Sequence, residues 1–346
     1  MVEGRRKKCD LLVFGETTRD TIASVDSLPL PEGAAARIRS IREPSLGGRA
    51  VNVATYAQLF GADAHVLSAC DQTYIHDYAG LALTAHAQMR GVFQLNEQKD
   101  NAQALIFRDA VHQVTFFYPG AAIVGGVDGD MSDAERDYKA HVRRIITEEY
   151  SPRFVYCTSE LHALVDEVMR HYSKTPSVRL AYSPGPEVQR ISPEHLARIL
   201  GCTNILFVNY FEMQQLQQIT GASLTEMMRT HKLDVVVVTL GHVGALLMHR
   251  SRRGLPQTQW LPVAKERRPV VDATGAGDAL AGGFLGYLVT NQRKSKPMTE
   301  DYVEALKHGM VLASFVIESY GTLVPKLSLE EVQARFQDYE NRLRLT

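Results

Sequence analysis

The most informative stretch of this sequence reads Val271-Asp272-Ala273-Thr274-Gly275-Ala276-Gly277-Asp278-Ala279-Leu280. Apolar residues continue after it at helical spacing, at Leu280, Phe284, Tyr287 and Leu288. A glycine-rich turn therefore opens a helix at this point of the chain. Because the first backbone N–H groups of a helix have no partner within it and face its positive end, the turn predicts an anion-binding hole.

The residue types in this turn suit phosphoryl transfer. The backbone amides of Gly275, Ala276 and Gly277 are the predicted anion-hole donors, and Asp278 follows at the helix start. Phosphoryl transfer needs stabilisation of charge on the moving phosphate and a carboxylate that takes the proton of the acceptor hydroxyl. Asp278 is therefore the predicted catalytic base. An isolated Gly-x-Gly turn is more often structural, but a full Asp-x-Thr-Gly-x-Gly-Asp string is far more demanding.

Two other nucleotide-binding motifs do not fit the chain. No Gly-x-x-x-x-Gly-Lys-Ser/Thr string is present, which argues against a P-loop ATPase. The run from Gly275 to Leu280 lacks the third glycine of the dinucleotide fingerprint, and it lies too late in the chain for a first βαβ unit.

Outward from this turn, short apolar runs alternate with helical patterns: Leu11 to Phe14, His65 to Ala69, Phe154 to Cys157, Arg179 to Tyr182, Ile205 to Val208 and Val235 to Leu240. This alternation predicts an α/β fold with a mostly parallel sheet covered by helices. Two regions depart from it, Thr21 to Val25 with the Pro- and Arg-rich segment after it, and the hairpin-like Ala104 to Tyr118. Together they predict a small β-lid.

The Asp272 to Asp278 string is the signature of the ribokinase-like (PfkB) kinase family, and the chain resembles that family from its first strand to a helix near Leu329 to Leu343. With 346 residues, length alone allows two average domains or one large one. The resemblance implies a single kinase domain over 1–346, a three-layer αβα core, and lid segments at about 18–45 and 97–122. It also implies ATP as the donor and Mg²⁺ as the cofactor.

The resemblance also implies residues that hold the acceptor. Gly15 to Asp20 resembles the family's first substrate loop, in which an aspartate holds ribose-type hydroxyls, and this makes Asp20 the candidate. The Gly47-Gly48-Arg49-Ala50-Val51-Asn52 string resembles the second signature, whose glycines allow close approach and whose asparagine binds hydroxyls. In the hairpin, Phe116, Phe117 or Tyr118 could stack on a base, and Phe117 is taken as the candidate.

A second set of residues is implied for the nucleotide. Asn209 to Glu212 matches the family's Asn-x-x-Glu motif, in which the glutamate acts on magnesium largely through water. The remaining candidates follow the central strand, flank the glycine turn or lie on a late helix: Thr239, Gly241, Gly244, Thr274 and Ser314.

The acceptor is predicted from local strings. Gln113 to Ala121, Leu206 to Glu212 and Ile317 to Thr322 resemble bacterial adenosine kinases and archaeal nucleoside kinases, so a nucleoside is the leading acceptor. Two departures weigh against a full match: Glu16 replaces a small or amide side chain, and Ala69 to Thr73 replaces a Gly-x-Asp-x-x-Gly loop. The alternatives are a ribose- or fructose-type sugar kinase, a vitamin or hydroxymethyl-pyrimidine kinase, and a non-catalytic binder or regulator on the same fold.

Bulk composition restricts the other partners. Hydrophobic residues make up 45% of the chain and charged residues 22%, as in soluble globular proteins, and the net charge of -1 favours neither nucleic acid nor a membrane surface. Four dispersed cysteines without a CxxC pair fit a reducing, cytoplasmic location. No apolar run approaches the roughly 20 residues of a membrane span. An exposed lid edge makes a homodimer through the lid the expected assembly.

Overall fold

A computed structural model describes residues 6–28, 30, 32, 34–80, 89, 91–95, 101–109, 112–118, 120, 133–251, 254–291 and 297–345. Its strands are β1 Lys7–Gly15, β2 Thr18–Val25, β3 Ile38–Ile41, β4 Ser45–Gly47, β5 Ala64–Leu67, β6 Ala69–Cys70, β7 Phe93–Gln94, β8 Ala102–Arg108, β9 Gln113–Tyr118, β10 Tyr150–Thr158, β11 Arg179–Tyr182, β12 Ile205–Asn209, β13 Val235–Thr239, β14 Ala245–Arg250 and β15 Pro256–Leu261. Its α-helices are α1 Arg49–Leu59, α2 Gln72–Gly80, α3 Asp133–Arg144, α4 His162–Tyr172, α5 Pro193–Cys202, α6 Tyr210–Thr220, α7 Leu224–Thr230, α8 Ala276–Asn291, α9 Thr299–Val316 and α10 Leu329–Leu343. A π-helical turn spans Ile145–Glu149, and short 3₁₀ turns span Pro186–Arg190 and Gly241–Val243.

The main sheet has eight strands in the order β15-β14-β13-β12-β11-β10-β1-β5. Six neighbouring strands of this sheet run parallel, namely β13, β12, β11, β10, β1 and β5. The other two, β14 and β15, are antiparallel to their neighbours. The four valines Val235 to Val238 are fully buried in β13, as expected for a strand covered on both faces. The predicted mostly parallel α/β sheet is confirmed.

Two helical layers cover this sheet because successive strand residues point to opposite faces. In β1, Leu11 and Val13 pack into one apolar cluster with α1, α2, α8, α9 and α10. Leu12 and Phe14 pack into the other cluster, with α3, α4, α5, α6 and α7. The expected three-layer αβα core is confirmed. None of the helices in the described part of the chain has the length and apolarity that crossing a membrane requires.

A second, smaller sheet forms the β-lid, with strand order β3-β2-β8-β9 and with β4 paired to β2. The predicted hairpin is β8 and β9, in which Ala104 faces Phe117 and Leu105 faces Phe116. Ala104, Phe117 and Ile106 belong to a small apolar cluster on the inner face, whereas Leu105 and Phe116 are exposed on the outer face. Of the predicted lid segment 97–122, residues 97–100, 110, 111, 119, 121 and 122 lie outside the described residues.

One predicted strand is divided in the structure. The apolar run from His65 to Ala69 begins in β5, but the chain leaves the main sheet after Leu67 because the carbonyl of Ser68 accepts a hydrogen bond from the Phe93 N–H (2.8 Å). Ala69 and Cys70 then form β6, which pairs in parallel with β7. The run of apolar residues is continuous in sequence, but its partners differ on the two sides of Ser68.

Candidate active site

The predicted anion hole is a tight turn between the loop at Asp272 and helix α8. Asp272 Oδ1 accepts hydrogen bonds from the Thr274 backbone N–H (3.0 Å) and hydroxyl (2.8 Å), which shapes the entry to the turn. Gly275 has φ +79°, and a Cβ there would lie 2.7 Å from the Cβ of Thr322, so only glycine fits. The Ala276 N–H donates to the Ala273 carbonyl (3.2 Å) within the turn.

Asp278 lies in the first turn of α8, at the end of a short hydrogen-bond chain. The Asn52 side-chain amide donates to Asp278 Oδ2 (2.8 Å), and the Thr322 hydroxyl donates to Asn52 Oδ1 (2.9 Å). Burial raises the pKa of Asp278 to about 6, and the hydrogen bond from Asn52 and the charge of Arg49 oppose this shift. A carboxylate with this pKa is mostly ionised at neutral pH and still basic enough to accept a proton.

Asp20 projects from the inner face of the lid toward the same cavity. Its Oδ1 accepts a hydrogen bond from the Thr18 hydroxyl (2.6 Å), and burial raises its pKa to about 6. A Cβ on Gly47 would lie 2.0 Å from Asp20 Oδ2, so the first glycine of the Gly47-Gly48 pair makes room for this carboxylate. Gly48 itself lines the cavity, as does Phe117 on β9.

These residues surround a cavity of about 400 Å³ between the lid and the carboxyl ends of the main-sheet strands. The predicted residues that line it include Asp20, Asn52, Gly275, Gly277 and Asp278. Parallel strands bring loops from distant parts of the chain to one edge of the sheet, which is the usual position of a ligand in such folds.

A second cavity, of about 770 Å³, adjoins the first, and Asn209, Thr239 and Gly277 line both. Further predicted nucleotide residues line the second cavity: Gly241, Gly244, Ala276 and Ser314. Thr274 lines the first cavity instead. The Ser314 hydroxyl donates to the Val311 carbonyl (2.6 Å) and accepts from Arg335 (3.0 Å). Because the hydroxyl already has these protein partners, Ser314 contributes to the cavity mainly by packing.

Glu212 and Asn209 form a capping box at the start of α6. The Glu212 carboxylate accepts hydrogen bonds from the Asn209 backbone N–H (3.0 Å) and side-chain amide (2.9 Å). Both carboxylate oxygens keep a free lone pair, and Glu212 lines the first cavity. No cluster of three or more metal-ligating side chains occurs in the part of the chain that the structure describes. This donor set fits an ion held mostly by phosphate and water, with one protein carboxylate reached through water.

The sequence did not single out an ion-paired cluster in the lining of the first cavity. The Arg49 guanidinium lies 3.3 Å from Glu16 Oε2 and 3.1 Å from Glu187 Oε2. Glu16 Oε1 accepts a hydrogen bond from the Glu160 backbone N–H (2.8 Å). Arg49 lies inside the Gly47 to Asn52 string, and Glu16 departs from the family pattern. Glu187 carries no local signal of a role in this site, because its partner Arg49 is far away in the sequence.

The other departure from the family pattern has a structural role. Asp71 Oδ1 accepts hydrogen bonds from the Thr73 hydroxyl (2.7 Å) and the Tyr74 backbone N–H (2.7 Å), which caps the start of α2. Asp71 is absent from the described lining of both cavities. In this structure the carboxylate of Asp71 therefore stabilises the start of α2 and does not face either cavity.

Two adjoining cavities meet at the glycine turn, with the Asp278 carboxylate in the first of them, and this arrangement fits a phosphotransferase that acts on an alcohol group. The chain belongs to the pfkB family of carbohydrate kinases, which it matches over residues 8–328.

Relatives and solved structures agree with this assignment along nearly the whole chain. A nucleoside kinase of Methanocaldococcus jannaschii is 23% identical over 94% of this chain and 96% of its own length. A cytidine kinase of Thermococcus kodakarensis is 27% identical over 90% of this chain and 97% of its own. The structure of a Burkholderia thailandensis nucleoside kinase in complex with inosine shares the fold with a TM-score of 0.75 at 20% identity, covering 96% of this chain and 99% of its own.

Proposed function

We propose that the protein transfers the γ-phosphoryl group of ATP to a hydroxyl of a nucleoside, with Asp278 as the catalytic base. The observation that carries this proposal is the position of Asp278 in the first cavity, where Asn52 holds its carboxylate and where the preceding residue, Gly277, lines both cavities. A group at this position can reach an acceptor hydroxyl on one side and a nucleotide phosphate on the other.

In the proposed reaction, Asp20 accepts hydrogen bonds from the sugar hydroxyls and holds the acceptor under the lid. Asp278 takes the proton of the attacking hydroxyl as its oxygen bonds to the γ-phosphorus and the bond to the β-phosphate oxygen breaks. The amides of the Gly275 to Gly277 turn stabilise the charge on the transferring group. The larger cavity, lined by Thr239, Gly241 and Gly244, receives the nucleotide.

A nucleoside is favoured over a free sugar by the inner face of the lid. Phe117 presents an aromatic side chain to the acceptor cavity, and Gln113 and Thr115 line the same side with polar groups. An aromatic ring with adjacent hydrogen-bonding groups suits the face and edge of a base, and stacking of this kind contributes about 1–3 kcal/mol per base in single-strand binders. The nucleoside and cytidine kinases among the relatives support the same choice.

We further propose Mg²⁺ as the cofactor, with Glu212 as its nearest protein carboxylate through water. When bound, the ion neutralises charge on the nucleotide phosphates. The role of Glu212 itself is to keep Asn209 oriented at the boundary of the two cavities through the capping box.

A homodimer through the lid is proposed as the assembly. The outer face of the lid exposes several large apolar side chains: Ile41, Leu105, Val114, Phe116 and Tyr118. A contiguous apolar sheet face of this kind favours association with a second copy of the same chain.

The function is tested by measuring ADP release from ATP and Mg²⁺ across a panel of nucleosides, pentoses and hexoses. We expect nucleoside-dependent turnover, and a loss of about 10²–10⁴-fold in kcat for Asp278→Asn, because the neutral amide cannot take the proton. Asp71→Asn is the matched control, since it alters a helix-capping carboxylate, and it should retain kcat. Turnover only with sugars would contradict the nucleoside proposal, and full activity of Asp278→Asn would contradict the assignment of the base.

A further inference from the structure

Arg108 joins the lid to the loop that precedes the anion hole. It is the last residue of β8, and its guanidinium donates a hydrogen bond to the Val271 carbonyl. The same nitrogen, Nη1, lies 3.6 Å from Asp272 Oδ1. The guanidinium carbon also lies 5.3 Å from the centroid of the Tyr320 ring. The end of a lid strand therefore contacts the first residues of the glycine-turn motif directly.

Asp272 needs this partner because its side chain is completely buried. Its Oδ1 binds Thr274, but its Oδ2 has no hydrogen-bond partner among the described residues. A buried carboxylate without a compensating charge is strongly unfavourable. Arg108 supplies that charge from the lid.

The contact continues from Asp272 into the anion hole. Thr274, which Asp272 holds through two hydrogen bonds, immediately precedes Gly275 and the amides at the start of α8. On its other side the loop is held by Ile317, whose carbonyl accepts hydrogen bonds from the backbone N–H groups of Val271 (2.7 Å) and Asp272 (3.2 Å). The loop that leads into the turn is therefore held by Ile317 on one side and by the lid residue Arg108 on the other.

A second lid arginine provides an internal comparison. Arg42, which directly follows β3, lies 4.0 Å from the centroid of the same Tyr320 ring. Within the described part of the chain it forms neither an ion pair nor a hydrogen bond with Asp272. Arg42 and Arg108 thus share the stacking contact, and they differ in the link to the anion hole.

We propose that Arg108 is a positioning residue that couples the lid to the anion hole. This inference rests on the proposed function, since the coupling acts when an acceptor lies under the lid. An acceptor held between Asp20, Phe117 and Asp278 sets the position of the lid strands, and with them Arg108. Arg108 in turn holds Asp272, and Asp272 orients Thr274 and the following amides. A water molecule makes no such lid contacts, so transfer to the acceptor is favoured over ATP hydrolysis.

The test compares Arg108→Gln with the wild-type protein in acceptor-dependent and acceptor-independent ADP release. We expect the ratio of the two rates to fall at least about tenfold, with the acceptor KM changed less than about threefold, because Arg108 acts on transfer rather than on acceptor binding. Arg108→Lys keeps the charge with one donor group and should recover part of the ratio. Arg42→Gln is the matched control and should keep the wild-type ratio.

Three kinetic results would overturn the inference: an unchanged ratio in Arg108→Gln, an equal fall of both rates, or the same loss of ratio in Arg42→Gln. Hydrogen exchange of the amides of residues 274–278 gives a readout without any acceptor. Exchange should be roughly tenfold faster in Arg108→Gln than in Arg42→Gln, because the loop loses one of its two anchors. Equal exchange would reject the coupling contact even if no acceptor were found, whereas a wild-type protein without turnover would reject the proposed acceptor class alone.

Discussion

Asp278 is the group whose ionisation should govern the pH dependence of the reaction. Burial raises its pKa to about 6, against the opposing effects of Asn52 and Arg49. A base must be unprotonated to act, so activity should be present above this pKa and be lost as the pH falls through it. We expect kcat/KM to fall about tenfold between pH 7 and pH 5, as the ionised fraction drops. The measurement is a pH profile with melting curves at each pH, which exclude unfolding.

Arg49→Gln provides the control for this profile. Its guanidinium lowers the pKa of Asp278, so its removal should move the acid limb toward higher pH. Ionisation of the nucleotide would also produce an acid limb, but that limb would not move in the variant. An acid limb that stays in place would therefore contradict the role of Asp278 in the profile.

The turn before α8 contains two glycines that should respond differently to the same substitution. At Gly275, φ is +79° and Thr322 occupies the space of a Cβ, so Gly275→Ala should lower the free energy of unfolding by about 1–3 kcal/mol. Gly277 lies within the helix and a Cβ there would meet no atom within 4 Å, so Gly277→Ala should leave stability unchanged or raise it by about 0.5–1 kcal/mol. Thermal or urea unfolding of both variants measures the difference.

Activity adds a second comparison between these glycines. Both variants should lose kcat, Gly275→Ala because it displaces Thr322 and with it Asn52, and Gly277→Ala because its methyl group enters both cavities. Loss of activity without loss of stability in Gly277→Ala would place the effect in the cavities. Wild-type kcat in that variant would contradict the proposed approach of phosphate to the turn.

The proposed dimer depends on the outer face of the lid. Phe116 is 60% exposed there and contacts Phe107 edge-on. Phe116→Glu should weaken dimerisation at least about tenfold, because it removes a large apolar contact and introduces a charge at the interface. Leu255→Glu, at another exposed apolar residue, should leave the dimer intact. Sedimentation equilibrium measures both, and a monomeric wild-type protein would contradict the assembly.

Fold and chemistry are encoded in this chain by local patterns. The buried run Val235 to Val238 indicates a central strand because four consecutive apolar residues need cover on both faces. The string from Asp272 to Asp278 indicates a turn, a helix start and a carboxylate, since the shape of the backbone there follows from the residues themselves. The alternation of such runs with helical patterns was sufficient to predict a mostly parallel sheet covered by helices. The strand-like runs between Ala104 and Tyr118, which depart from that alternation, predicted the lid hairpin.

Only the tertiary structure decided which side chains meet across these elements. Glu187 pairs with Arg49, and Arg108 reaches Asp272, although each pair is separated by more than a hundred residues in the sequence. Such contacts depend on how strands and helices pack, and no local periodicity encodes that packing. The pKa of Asp278 has the same origin, because burial by distant elements raises it. The sequence alone determined which groups are available for chemistry, and packing determined their partners and their charge.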